Sequence, residues 1–182
     1  MAVNIKSFFK HKLQLHQIEA LRPQLYRVAV SWCNDQMLAD DIVQDALTKA
    51  VQNIAQLKDP EALKSWLFTI LNNQWREYLR RNRPCLDIDE LVFVADSDPE
   101  SDKQRQQTCD LVRSAIAELP LSQRQTITLV DLEDMSYQEV AKALDVPIGT
   151  VMSRLNRARK ALLQKIEHQE TTMSISYLRS VK

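Results

Sequence analysis

The stretch S-Y-Q-E-V-A-K-A-L-D-V-P-I-G-T-V-M-S-R-L-N-R-A-R-K, residues Ser136–Lys160, decides how this chain reads. Ser136 and Glu139 form S-x-x-E, a capping box that starts a helix. Val140, Ala141 and Leu144 follow at helical spacing and supply its buried side. Ala141 is small enough for a second helix to cross close by. Asp145 stands where the chain must turn, and Asp is one of the few residues besides Gly that tolerate positive φ. Pro147 disfavours helix at Val146 and suits the first turn of the next helix. Val151, Leu155, Ala158 and Leu162 then continue an apolar stripe, with Thr150, Ser153, Arg154 and Arg157 falling mainly off it. From Ile148 to Lys165 there are five basic residues (Arg154, Arg157, Arg159, Lys160, Lys165) and no acid. This is the form of a helix-turn-helix whose second helix enters the major groove of DNA. Arg supplies both phosphate contacts and the forked donor that reads guanine. The plain alternative is a helical hairpin with a solvated basic face. The caps, the small residue, the turn and the acid-free second helix together favour DNA.

Composition narrows the setting. The chain has 182 residues, 45% of them hydrophobic, enough for a core in one domain or two small ones. Gly occurs once and aromatics make up 6%, which argues against a β-rich fold full of tight turns. The N-terminal residues lack the apolar centre of a signal peptide, and no stretch is apolar enough to span a bilayer. Cys33, Cys85 and Cys109 form no C-x-x-C pair and read as free thiols of a cytoplasmic protein. Residues 1–83 carry twelve Lys/Arg against eight Asp/Glu, residues 84–106 two against seven, and residues 107–182 ten against nine. The acidic middle stretch holds two prolines and reads as a linker, interrupted by Leu86, Ile88, Leu91, Val92, Phe93 and Val94.

The first block reads as three helices, over about 18–34, 37–54 and 60–82. Leu21, Leu25, Val28, Ala29 and Trp32 share one face of the first. Val43, Ala46, Leu47, Ala50 and Ile54 line the second, whose early acids Asp40, Asp41 and Asp45 suit the positive end of the helix dipole. Leu63, Trp66, Leu67, Ile70, Leu71 and Tyr78 line the third, and Pro84 stops it. After the linker, Leu111, Val112, Ala115, Ile116 and Leu119 suggest a further helix, and Ser122 with Gln125 suggests a capped one. The fold class is therefore all-α, with two small helical domains at 1–83 and 107–166, a linker at 84–106 and a C-terminal tail at 167–182.

Read together, A-D-D-I-V-Q-D-A-L-T-K-A at Ala39–Ala50, P-E-A-L-K-S-W-L-F-T-I-L-N-N-Q-W-R-E-Y-L-R-R at Pro60–Arg81, L-P-L-S-Q-R-Q-T-I-T-L-V at Leu119–Val130 and the helix-turn-helix resemble the extracytoplasmic-function sigma factors of bacterial RNA polymerase. The resemblance covers roughly residues 18–165. It implies a factor that binds core RNA polymerase and directs initiation at promoter DNA, in a stress or envelope response. It places core binding on the second helix, with Asp41, Gln44 and Asp45 as candidates. It places minus-ten recognition and melting on the third, with Asn73, Trp75, Arg76, Arg80 and Arg81, where unpaired bases and their backbone meet aromatic, polar and basic groups. Specificity would lie in the short loop at Gln56–Asp59. Trp66 reads as core. Duplex contact at the minus-thirty-five element falls to Thr150, Ser153, Arg154 and Arg157. Asp145 departs from the Gly common in the family. The resemblance further implies an anti-sigma partner, a monomer when free and no membrane insertion.

An enzyme is disfavoured. The sequence has no Gly-rich phosphate loop, no metal-ligand or catalytic spacing, and no implied cofactor. Asp40 and Asp41, as helix neighbours, diverge by about 100°. A dimeric repressor or activator would need a heptad run or an effector pocket, and neither is legible.

Overall fold

A break at Leu21 separates the first two helices. The computed structural model describes residues 5–57, 59–82 and 111–180, with side chains over 13–57, 59–82 and 111–166. In chain order the helices are α1 (Ile5–Ala20), α2 (Arg22–Cys33), α3 (Gln36–Asn53), α4 (Leu63–Arg81), α5 (111–117), α6 (Leu121–Ile127), α7 (Tyr137–Leu144) and α8 (Ile148–Ser180). Short 3-10 turns at Ile54–Gln56 and Pro60–Ala62 join α3 to α4. After α6 the chain widens into a π turn over Thr128–Leu132. Described residues contain helices and turns and no strand.

The first expected helix, 18–34, is in fact the end of α1, a turn and α2. Leu21 caps α2 with Pro23 in its first turn, where proline is tolerated. The helix α1 was not expected. It buries Ile18 and Gln14 and packs on α2 and α3. Asn34 ends α2 in the left-handed region, at φ 58°. Asp35 then starts α3, its carboxylate accepting the Leu38 N–H at 3.0 Å. The expected Ser122–Gln125 cap does not form. Pro120 occupies the N-cap position, and the Pro120 carbonyl accepts from the Gln123 and Arg124 N–H groups. Ser122 is thus already inside the helix, and the Gln125 amide is turned to another task. At the far end α8 runs on to Ser180, through the segment expected as a tail. The acidic linker at 84–106 lies outside the described residues.

The two halves share one apolar core. Leu25, Val28, Trp32, Val43, Leu67, Phe68 and Leu71 from the first join Leu121, Leu129, Met135, Val140 and Val151 from the second. A smaller cluster, Leu119, Ile127, Leu155 and Ala158, seats α8 on α6. Helix α4 lies in the middle, packed on α3 along one side and on α7 along another. Its buried residues include Ser65, Leu67, Phe68, Leu71, Asn72, Gln74 and Trp75, an arc too wide for a single neighbour to cover.

Polar groups run through the shared interface and most are matched, the buried Arg124 Nε being an exception. The Trp32 indole N–H donates to Thr128 Oγ1 at 2.9 Å. Arg124, fully buried, donates to the carbonyls of Trp32 at 3.2 Å, Ser31 at 3.4 Å and Leu119 at 3.0 Å. Burial lowers the pKa of its guanidinium. The charge is met by carbonyls at the C-terminal end of α2, the negative end of that helix dipole. Asn72 donates to the Ala143 carbonyl at 3.1 Å and accepts from Gln125 at 3.2 Å.

Candidate nucleic-acid interface

The helix-turn-helix forms as its residues dictate. Glu139 N–H donates to Ser136 Oγ at 3.3 Å, and the Ser136 N–H donates to the Glu139 carboxylate at 2.9 Å. Those bonds to Ser136 hold the Glu139 carboxyl below its ordinary pKa. Asp145 takes φ 56°, and the Val146 N–H donates back to the Ala141 carbonyl at 3.0 Å. The left-handed turn common with Gly is thus made with Asp. Pro147 precedes α8, and its carbonyl accepts from Thr150 and Val151.

On α8, Val151, Leu155 and Ala158 are buried, which turns the candidate face outward. Ser153 and Arg157 are exposed, and Thr150 and Arg154 are half-buried beside them. The spacing i, i+3, i+4, i+7 puts all four on one side. Ser153 donates to the Thr150 carbonyl at 3.0 Å, and Arg157 Nε donates to the Ser153 carbonyl at 3.3 Å. Gly149, in the first turn, has open space where a Cβ would stand. Two of the five basic residues serve the domain itself. Arg159 forks onto Asp131 at 3.0 and 2.5 Å, and that bond raises its pKa. Lys165 pairs with Glu118.

On α4 the candidates separate. Arg76, Arg80 and Asn73 are exposed and fall on one face at spacing i, i+3, i+7. Arg80 and Arg81 both hold Glu77, at 2.7 and 2.8 Å, and the Arg80 hydrogen bond chiefly lowers the Glu77 carboxyl's pKa. Trp75 is not with them. It is buried, stacked on Tyr78 with ring centres 5.7 Å apart, and its indole N–H has no partner. Trp66 is half-buried against the core, as expected. In the loop before α4, Leu57 is buried and Asp59 caps the 3-10 turn through the Glu61 N–H.

On α3, Asp41, Gln44 and Asp45 are all exposed. Gln44 donates to Asp40 at 2.7 Å, and Asp40 also pairs with Arg22 at 3.3 Å. A shallow groove of about 400 Å³, lined by Tyr26, Gln36, Met37, Asp40 and Asp41, opens beside these acids, with Met37 83% exposed. Among the described residues no three His, Cys, Asp or Glu side chains converge as a metal-binding set.

Sequence reasoning missed Arg124 and Glu133, which organise the interface between the halves. Arg124 carried a signal, because it sits at i+3 from Leu121 and i−4 from Thr128, on the buried side of α6. Glu133 carried none, since the π turn that buries it has no sequence signature we can name.

Two family descriptions match the chain in the order of its halves. Sigma-70 region 2 matches residues 17–84, and Sigma-70, region 4 matches residues 109–162. The ECF RNA polymerase sigma factor EcfG of Rhodopseudomonas palustris (strain TIE-1) is 36% identical over 151 residues, covering 80% of each chain. The ECF RNA polymerase sigma-E factor of Escherichia coli (strain K12) is 32% identical over 139 residues, 70% of this chain and 73% of that one. Among solved structures, the sigma factor RpoE in complex with the anti-sigma factor NepR from Bartonella quintana superposes with a TM-score of 0.66 at 27% identity, covering 84% of this chain and 95% of that one. CnrH in complex with the cytosolic domain of CnrY gives a TM-score of 0.60 at 25% identity, covering 84% and 86%. With a region-2 half, a region-4 half and relatives of this identity, the chain belongs to the extracytoplasmic-function sigma factors, which direct RNA polymerase to initiate at promoters.

Proposed function

We propose the following division of labour. The acidic face of α3, with Asp41, Gln44 and Asp45, docks on core RNA polymerase, and exposed Met37 adds an apolar contact. Helix α4 takes the minus-ten element through Asn73, Arg76, Arg80 and Arg81, with Trp75 available only once its cover is removed. The outer face of α8, Thr150, Ser153, Arg154 and Arg157, reads the minus-thirty-five duplex. The factor is monomeric when free, acts in the cytoplasm, catalyses nothing itself and uses no cofactor. No helix among the described residues is long and apolar enough to cross a membrane. An anti-sigma protein restrains it, as the anti-sigma factor NepR is bound to the similar RpoE of Bartonella quintana, and release serves a stress or envelope response.

One observation supports this reading most. The α3 acids and the α8 hydroxyl and guanidinium face are both open to solvent in one chain, so an enzyme surface and a DNA duplex can be held at once. The test is transcription in vitro with sigma-depleted core polymerase on a promoter library. Initiation from a restricted promoter set is expected. Operator binding without polymerase, or no initiation at all, would overturn the reading.

A further inference from the structure

The second half lays carboxylates against basic groups of the first. Glu133, only 3% exposed, pairs with Arg27 and Lys64, each at 3.3 Å. The Lys64 ammonium also donates to the Glu133 carbonyl. Asp145 reaches Arg76 at 3.7 Å. Between these points Asn72 is bonded to Ala143 and Gln125. Except for Arg27, every first-half partner in this set belongs to α4. An ammonium, two guanidinium groups and an amide are also what a nucleic-acid backbone requires, and phosphate oxygens compete for them as carboxylate oxygens do. The buried Trp75 indole N–H, without a partner, is a donor that the present arrangement leaves unused. The α3 acids and the outer face of α8 take no part in these contacts.

We propose that Glu133 and Asp145 stand in for nucleic-acid phosphates on Arg27, Lys64 and Arg76, so that the chain covers part of its own single-strand-reading face and single-stranded DNA displaces the acids. This rests on the assignment of α4 to unpaired DNA made above. In the closed state the polymerase-docking face and the duplex-reading face stay available, and on the third surface Arg76 is engaged while Asn73, Arg80 and Arg81 remain exposed. Asp145 thereby has two roles. It fills a left-handed turn that Gly could fill, and it supplies a charge that Gly could not.

The test uses the full chain, without polymerase, and a mixed-sequence single-stranded DNA of about 15 nucleotides. Amide hydrogen exchange is followed in α4 and α7. The strand should slow exchange in α4 and speed it in α7, whereas a neutral polymer of similar length should do neither. The double variant Glu133→Gln with Asp145→Asn keeps shape and removes charge. It should bind the strand about tenfold more tightly, the equivalent of one pair of partly buried charges lost from the closed state. Should that variant fail to fold, Asp145→Asn alone removes one of the two acids at an exposed turn whose left-handed backbone Asn tolerates. It should gain about two- to fivefold in strand affinity. Unchanged α7 exchange, or folded variants that bind no more tightly, would overturn the proposal. Initiation with core polymerase is measured alongside. Normal initiation without displacement removes only the self-closure, whereas absent initiation removes the assignment beneath it as well.

Discussion

Arg124 and Trp32 bind each other's surroundings in both directions. The guanidinium donates to the Trp32 carbonyl at 3.2 Å, while the Trp32 indole donates at 2.9 Å to Thr128, whose hydroxyl in turn donates to the Arg124 carbonyl at 2.9 Å. The loop so closed joins the C-terminal end of α2 to the π turn after α6. It is rigid because each member fixes the next, and all three residues are buried.

Truncation at Arg124 should therefore be severe. Arg124→Ala leaves three carbonyls without their donor, and each orphaned buried group costs about 1–3 kcal/mol. Urea unfolding should show a loss of at least about 2 kcal/mol. Arg124→Lys should not restore it, since an ammonium cannot reproduce the planar fork. Trp32→Phe, which removes one donor, should lose only about 0.5–1.5 kcal/mol.

The turn at Asp145 separates backbone effects from charge effects. Asp145→Val places a β-branched residue at φ 56° and should lower stability by about 1–2 kcal/mol. Asp145→Gly relieves that backbone and loses only an exposed ion pair with Arg76, worth about 0–1 kcal/mol. Its unfolding midpoint should stay close to that of the parent.

Arg154 and Arg159 are five residues apart on α8 and should behave oppositely. Arg154→Ala should weaken binding to a promoter duplex by about 1–3 kcal/mol if the side chain forks onto a base. Arg159→Ala should leave duplex affinity nearly intact, because its guanidinium is held by Asp131. Holoenzyme binding to a minus-thirty-five duplex distinguishes the two. Equal losses would mean that Arg159 leaves Asp131 for DNA.

Cys33 should be inert. Burial pushes its thiol up to about 11, with Asp35 and Arg124 making smaller contributions. Peptide-resolved alkylation at pH 8 should find Cys33 unmodified until the protein unfolds. The folded state holds this proton more tightly than the unfolded chain does. The associated stability is therefore complete below pH 9 and is lost as pH rises from about 9 toward 11. Cys33→Ser should flatten that limb of the stability profile.

Much of the fold was legible because local signals were strong and consistent. The capping box at Ser136, the left-handed Asp145 and the buried stripe of α8 follow from residue chemistry alone. Other features depend on what packs against a helix and cannot be seen in one segment. Trp75 carries the chemistry of a base-stacking residue, yet it is buried and stacked on Tyr78 of its own helix. Gln125 reads as a capping residue, yet Pro120 moved the helix start and freed it to reach Asn72. Helix α1 escaped notice because its described buried side amounts to Gln14 and Ile18, too sparse a pattern to announce a helix. Among the candidate residues, those on α3 and α8 were easiest to place, since their neighbours at helical spacing are plainly apolar.

The vacant volume at Gly149 carries a last consequence. Nothing within 4 Å would meet a methyl group there, so the fold itself does not require glycine. Alanine would restrict the unfolded ensemble and should raise the melting temperature, with a gain of about 0.4–1 kcal/mol. In the proposed docking of α8 this position sits at the tip that meets the sugar-phosphate rail, where a side chain would intrude. Gly149→Ala should then yield a hardier protein that grips its duplex less well.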